Sequence, residues 1–197
     1  VNNYQSSLTN KKKNINHLFS KFEMDLNLSN FNSSSLFIDL EKISNDNYLN
    51  IFESQITKSE LRPENFDILN SEIKIILDHN DYNLSTGFQS YENLQLENND
   101  RFQYVLPYYD FNKNLSENFF KGSLNLFSNG TNQLKDTNNL RSRIVNDVSY
   151  KSNDLFNDLG FKNNFLINLK NLNSVGKNDS EYKTSPQIEM MADFELA

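Results

Sequence analysis

The chain has no cysteine, and its 197 residues include only five glycines and three prolines. Without cysteine, neither a disulfide framework nor a thiolate metal site can form. Few glycines and prolines are expected where strands are joined by turns that use Asn and Asp instead. The fold therefore has to be read from the pattern of apolar side chains.

Long apolar runs and strong positive charge are also missing. No segment approaches the roughly 18 apolar residues that a membrane-spanning helix needs, which excludes a helical span. Membrane-spanning strands are not excluded, because their alternating apolar and polar residues have a polar average hydropathy. The net charge is −7 and the only basic run is Lys11-Lys12-Lys13, so nucleic acid is not expected as a partner. Aromatic residues make up 13% of the chain, which disfavours a disordered protein.

What the chain does have is a repeated alternation of apolar and polar side chains, which predicts β-strands. The predicted strands are residues 22–28, 36–40, 68–77, 82–91, 102–111, 120–126, 141–150, a segment ending at 165–169, and 188–196. No long stripe with a 3.6-residue period is present, although residues 58–61 and 153–159 could each form a turn or two of helix.

The predicted connections alternate in length. Short turns are predicted at residues 29–33, 78–81 and 112–117, and longer polar connections at 42–67, 92–100, 129–139 and 171–186. Outer-membrane barrels have this alternation, with short periplasmic turns and long extracellular loops. We therefore predict an all-β fold, an antiparallel up-and-down transmembrane β-barrel of which the chain supplies roughly nine to ten strands. Residues 1–197 are predicted to be one incomplete domain, an internal segment of a larger barrel.

The most distinctive motif lies in residues 36–52. Its order, Asp39-Leu-Glu-Lys42-Ile-Ser44-Asn-Asp46-Asn-Tyr48-Leu49-Asn-Ile-Phe52, resembles the LPS-assembly outer-membrane protein family, LptD, also called OstA. In that family a barrel strand runs into a long loop with such a signature, so residues 42–52 are predicted to open an extracellular loop. The motif is expected to fold the loop rather than to bind lipid.

A second stretch, Arg101-Phe-Gln-Tyr-Val-Leu106-Pro107, is similar to the Leu-Pro approach to an aromatic strand in the same family. Because proline removes a ladder donor, Pro107 should lie at a strand end, a bulge or an edge. Similar order continues in residues 138–147, 160–164 and 185–188, so the resemblance runs from Asp39 to the end of the chain.

The resemblance implies a non-enzymatic function in the outer membrane of a Gram-negative cell. The chain would be part of the barrel of a translocon that inserts lipopolysaccharide into the outer leaflet. Its partners would be lipopolysaccharide, an LptE-like lipoprotein plug and the components of a periplasmic bridge. No cofactor or metal is implied.

Residues capable of chemistry do not combine into a predicted catalytic site. His17 and His79 are predicted to be surface histidines, and Ser33-Ser34-Ser35 lacks the context of a nucleophile elbow. The acids Glu41, Asp46 and Glu53 are predicted to lie in a solvated loop. Arg101, Arg141 and Arg143 could contact anionic lipid head groups in a polar lumen, but ion pairs with the many acids are favoured.

Two other interpretations remain open. One is a different outer-membrane barrel, a porin or a receptor-type transporter. The other is a soluble, Asn-rich β-sandwich that acts as a binding module, in which both strand faces would be buried or solvated.

Overall fold

The computed structural model describes residues 16–56, 58–96, 98–135, 139–156, 158, 160–178 and 181–196. The strands are β1 (His17–Asp25), β2 (Ser33–Ile43), β3 (Ile68–Asp78), β4 (Tyr82–Asn93), β5 (Phe102–Ser116), β6 (Gly122–Lys135), β7 (Asn139–Ser152), β8 (Leu155–Phe156), β9 (Lys162–Asn178) and β10 (Glu181–Leu196). Two four-residue helices, α1 (Tyr48–Ile51) and α2 (Glu53–Ile56), and a 3₁₀ turn at Asn98–Arg101 lie in the connections.

All ten strands belong to one sheet, and every neighbouring pair is antiparallel. The strands follow one another in chain order, except that the short β8 pairs only with β9. The predicted all-β, up-and-down topology is confirmed. Over the described residues the sheet is open, with β1 and β10 at its edges. Among the same residues, no helix is long and apolar enough to cross a membrane.

The ladder register separates the side chains into an apolar face and a polar face, because directly paired residues point to the same side of an antiparallel sheet. The apolar face carries Phe22, Met24, Leu36, Ile38, Leu40, Ile73, Ile75, Leu77, Leu84, Phe88, Tyr109, Phe111, Leu124, Leu126, Ile144, Val148, Ile167, Leu169, Ile188, Met190 and Phe194. The polar face carries Lys21, Asp39, Glu72, Lys74, Gln89, Tyr108, Asp110, Gln133, Arg141, Arg143, Asp147, Lys170, Ser174, Lys183 and Gln187.

Recesses in the described part of the sheet are lined mainly by polar-face side chains, and one of them is a space of about 710 Å³. On the apolar face many large side chains are exposed to solvent, and Ile188 and Met190 are 76% and 74% exposed. The polar side is thus the concave one.

Two of the predicted long connections are wrong. Residues 129–139 were expected to be a loop, but β6 continues to Lys135 and β7 begins at Asn139; residues 136–138 lie outside the described part. Residues 171–186 were also expected to be a loop, yet β9 continues to Asn178 and β10 begins at Glu181. Asn, Ser and Gln in these stretches indicate loops by propensity, but cross-strand pairing overrides that preference. The short-long alternation therefore holds only for the first half of the sheet.

Smaller shifts affect strand ends and the predicted helical turns. β1 ends at Asp25, so Leu28 lies in the turn, and the turn predicted at 112–117 lies at 117–121, where Phe120 and Lys121 have positive φ values of 46° and 59°. Residues 58–61 are not a helix. Residues 155–156 form β8, while 157 and 159 fall outside the described part.

Candidate functional site

A cluster of buried apolar residues lies around the connection between β2 and β3, residues 44–67, which we call the cap. Its core combines Tyr48, Leu49 and Ile56 of the cap with Ile43, Leu69 and Leu94 at the adjoining strand ends. Leu49 and Leu69 are 0% and 1% exposed. The cap is therefore a small folded unit, and we call the end of the sheet where it lies the cap end.

Asparagine side chains start and end the fold of the cap. The Asn45 side-chain oxygen accepts from the Asn47 backbone N–H at 3.0 Å and precedes α1, whereas Asn65 accepts from the N–H groups of Asp67 at 2.8 Å and Ile68 at 3.2 Å before β3. Such Asx turns supply the backbone bonds that a loop otherwise lacks. The high Asn content, which indicates only loops from composition, here sets the entry and exit of a specific structure.

Contacts among aromatic and imidazole rings hold the cap against β1. The Tyr48 hydroxyl hydrogen-bonds the Nδ1 atom of His17, and the Tyr48 ring lies 4.9 Å from that of Phe52, centroid to centroid. His17 also stacks on Phe19 at 4.8 Å. His17 is exposed, as predicted for a surface histidine, but it also has a structural contact that the sequence did not reveal.

Four charged residues, which we call the latch, connect the cap to the connection between β4 and β5. Arg101 contacts Asp46 of the cap at 2.7 Å and Glu92 of β4 at 2.8 Å, and Lys42 reaches Glu92 at 2.8 Å. The Arg101 and Glu92 side chains are only 16% and 10% exposed. The hydrogen bond with Asp46 raises the pKa of Arg101 above its ordinary value, more than burial lowers it. Only the pair between Arg101 and Glu92 is shielded on both sides, because Asp46 and Lys42 are 55% and 61% exposed, and a shielded pair is screened less by salt.

The cap reaches over the polar face. Glu64 and Asn65 of the cap line a recess of about 460 Å³ together with Lys21, Glu72 and Tyr91 of the sheet. The recess of about 710 Å³ lies beside it and is bordered by Arg101 of the latch. The folded connection thus covers part of the concave, polar side at one end of the sheet.

Below the cap, a hydrogen-bonded group crosses three strands of the polar face. Glu72 of β3 accepts from the Tyr108 hydroxyl of β5 at 2.5 Å and from the Gln89 amide of β4 at 2.8 Å, and Tyr91 donates to Gln89 at 3.0 Å. Tyr108 reaches across β4 because Gly87 lies under its ring; a Cβ there would stand 2.8 Å from the tyrosine oxygen. The group fixes the spacing of β3, β4 and β5.

The structure brings together most of the family-motif residues. Lys42, Asp46 and Arg101 form the latch, and Tyr48, Leu49 and Phe52 pack in or against the cap core. Ser44 accepts from the Asn16 N–H through its hydroxyl at 2.8 Å and so ties the start of the cap to the start of β1.

Three motif residues lie elsewhere. Asp39 is on the polar face and pairs with Lys21 at 3.5 Å. Leu106 and Pro107 stand at an irregularity of the β5–β6 ladder, between Val105 and Tyr108, with a cis peptide bond between them. Pro107 is predicted at a strand end, a bulge or an edge, and it lies at this irregularity of the ladder.

The expectation for Glu41 is wrong. It lies in β2 rather than in a solvated loop, is 8% exposed, and accepts from the Asn70 N–H at 2.7 Å. The strand continues past Leu40 because its last residues pair with β1, Glu41 with Phe19 and Ile43 with His17. For Arg101 the favoured ion pairing is confirmed, whereas no ion pair of Arg141 or Arg143 is found among the described residues.

Sequence reasoning also missed Glu92 and Glu72, the acids at the centres of the latch and of the polar-face group. Alternation places Glu72 opposite the apolar Ile73, which is a usable signal, but nothing local identifies its partners. Within the described residues, no group of three or more His, Cys, Asp or Glu is placed to hold a metal ion.

Comparison with known proteins adds no relative to these observations. No protein-family model matches the chain, and a search of curated proteins returns no match.

Proposed function

We propose that this chain forms part of the wall of an outer-membrane β-barrel, with the apolar face toward lipid and the polar face toward the lumen. Outer-membrane strands alternate in this sense, apolar outward and polar inward. The described residues form a single sheet whose apolar face has no covering layer. A β-sandwich would cover that face with a second sheet, so the soluble alternative is not supported.

The observation that carries the proposal is the slope of the apolar band. On β1 the band spans residues 18–24, centred on Lys21, and on β10 it spans 188–194, centred on Met191. Ladder partners followed from Lys21 across the sheet lead to Arg141 on β7 and to Lys183 on β10. The band centre has therefore moved by about eight residues over about eight strand steps, toward the end opposite the cap.

β7 shows the same slope at an intermediate point. Its apolar residues span 144–150, centred on Asp147, about six residues from the ladder partner Arg141 after about six strand steps. With a rise of about 3.3 Å per residue and a strand spacing of about 4.8 Å, one residue per strand corresponds to a tilt of roughly 35°. Membrane barrels tilt their strands by about 35–45°, so a band level with the membrane has to run obliquely across the ladder.

For the specific activity we propose lipopolysaccharide insertion into the outer leaflet, without covalent chemistry. The support is the LptD-like motif, whose residues concentrate in the cap and latch at one end of the polar face. On this proposal the cap end is extracellular, an LptE-like lipoprotein plug occupies the lumen, and periplasmic bridge components deliver the lipid.

The oblique band can be tested with single tryptophans, because the chain has none of its own. Met190→Trp and Thr184→Trp lie on the same face of β10, six positions apart. In vesicles with acyl-chain-brominated lipids, we expect strong quenching of the first and weak quenching of the second, since Thr184 lies outside the tilted band. Lys183, next to Thr184, is the ladder counterpart of the β1 band centre, so a band parallel to the ladder rows would give the reverse result. Equal, weak quenching at both positions would contradict the membrane proposal itself.

The translocon assignment needs a separate experiment in cells. A photoreactive residue at Gln103, on the polar face, should crosslink to a lipoprotein and to lipopolysaccharide when the protein is in its native barrel. The same residue at Phe88, on the apolar face, is the matched control and should give neither lumenal product. Crosslinks only to segments of the same polypeptide would favour a porin or a receptor-type transporter.

A further inference from the structure

The polar face has opposite charge in its two halves. From β1 to β5 acids predominate, with Glu23, Asp39, Glu72, Asp78 and Asp110 against Lys21 and Lys74. From β6 to β10 the part nearer the cap end carries Arg141, Arg143 and Lys183, all exposed. Of the acids on these strands, Asp147 lies further from the cap end and pairs with Lys170 at 3.2 Å, whereas Glu181 stands at the start of β10, two positions before Lys183.

The three cations have neutral neighbours in the ladder. Arg141 pairs with Gln133 of β6 and Gly176 of β9, and Gly176 in turn pairs with Lys183 of β10. Arg143 pairs with Thr131 and Ser174, and Ser174 in turn pairs with Ser185. Among the described residues, none of the three cations has an ion-pair partner. Arg141 and Arg143 lie two residues apart on one face with neutral direct ladder partners, so their charges repel each other and a bound anion relieves that repulsion.

Glycine leaves room between the cations. Gly176 stands between Arg141 and Lys183 in the ladder, and its nearest neighbour for an added Cβ is Cγ of Arg141 at 4.0 Å. Two strand spacings separate the backbones of Arg141 and Lys183, about 10 Å, and the residue between them has no side chain. The Ser174 hydroxyl lies on the same face one ladder step away.

We propose that Arg141, Arg143 and Lys183 form a binding site for phosphate groups on the polar face. Arginine binds phosphate through two parallel N–H donors, and lysine adds a point charge. The ligand is a molecule with one or more phosphates, either a soluble phosphorylated compound or a lipid head group. The phosphate site does not depend on delivery of lipopolysaccharide, so an experiment can contradict one proposal without contradicting the other.

The test uses the whole chain in neutral detergent micelles and isothermal titration calorimetry. The probes are inorganic phosphate, fructose 1,6-bisphosphate with fructose as its phosphate-free control, and phosphatidic acid in mixed micelles with diacylglycerol as its control. We expect phosphate-dependent binding that weakens about tenfold or more in R141Q/R143Q, the equivalent of losing one charge-assisted contact. R141K/R143K keeps the charge and should lose less.

Lys170→Gln is the matched control, since it removes one polar-face cation that is already paired with Asp147. Its affinity should stay within about twofold of the parent protein. Binding of phosphatidic acid alone would identify a lipid head group, and binding of the bisphosphate as well would identify a soluble phosphorylated ligand. No phosphate-dependent heat with the parent chain, or an equal loss in Lys170→Gln, would overturn the site.

Discussion

At the scale of single residues, packing on the polar face depends on Gly87, which leaves space for the Tyr108 ring. Gly87 and Gly176 both lie in strands on this face, but only Gly87 is covered by a ring. We expect Gly87→Ala to lower the free energy of unfolding by about 1–3 kcal/mol, because the added Cβ would collide with Tyr108 and with the Ile73 carbonyl.

Gly176→Ala is the control for that change. With its nearest neighbour 4.0 Å from an added Cβ, it should be neutral or stabilising by up to about 1 kcal/mol, through the unfolded state. Urea titrations of both variants in the same detergent make the comparison. Equal destabilisation would show that the Tyr108 contact is not what makes Gly87 necessary.

The residue scale also shows what the sequence could predict of the site. The motif gave the correct residues of the cap because Asp46, Tyr48, Leu49 and Phe52 are close in sequence and act locally. Glu92 and Glu72 were not found because their partners come from other strands, so their roles depend on register. His17 was placed at the surface correctly, but its bond to Tyr48 spans 31 residues and leaves no local pattern.

At the scale of elements, the latch should decide how firmly the cap is held. Arg101→Gln removes both ion pairs of Arg101, while Glu92 keeps Lys42 as a partner. We expect trypsin to cleave after Lys58 in the cap about tenfold faster, since losing charged, shielded hydrogen bonds costs about 1.5–3 kcal/mol. Cleavage is followed by mass spectrometry of the released peptides.

Asp39→Asn provides the comparison for the latch, since it breaks the more exposed pair with Lys21. Exposed pairs contribute about 0–1 kcal/mol, so cleavage in the cap should be close to that of the parent chain. If Arg101→Gln is cut no faster than Asp39→Asn, the buried core around Leu49 holds the cap without help from the latch.

The strand boundaries that were predicted correctly also depend on local sequence, and those that were missed depend on pairing between strands. Strands with clean alternation, such as β3 and β4, were predicted within about two residues, because the turn 79–81 carries Asp and Asn at its tip. The connecting ends of the β6–β7 and β9–β10 hairpins, residues 129–139 and 171–186, were predicted to be loops because Asn-rich segments have low strand propensity. Cross-strand bonds that no local rule records extend these strands.

At the scale of the whole molecule, the strand count limits how the sheet can close. The described residues form ten strands, and with β8 off the path nine remain, so β1 and β10 run in the same direction. Pairing β1 directly with β10 would therefore be parallel. An entirely antiparallel closed barrel requires an odd number of further strands between them.

Engineered disulfides in this cysteine-free chain test that limit. Ser20→Cys with Ala192→Cys joins the two edge strands, and Ile167→Cys with Ala192→Cys joins the ladder partners of β9 and β10. We expect the second pair to oxidise readily within one chain, since direct partners have Cα atoms about 4.5–5.5 Å apart, and the first pair not to do so. The readout is the faster migration of the crosslinked monomer on a denaturing gel. An edge-to-edge disulfide forming as efficiently as the β9–β10 bond would mean that the nine strands close by a parallel seam, and the tilt deduced from the apolar band would then describe a complete small barrel rather than an arc of a larger one.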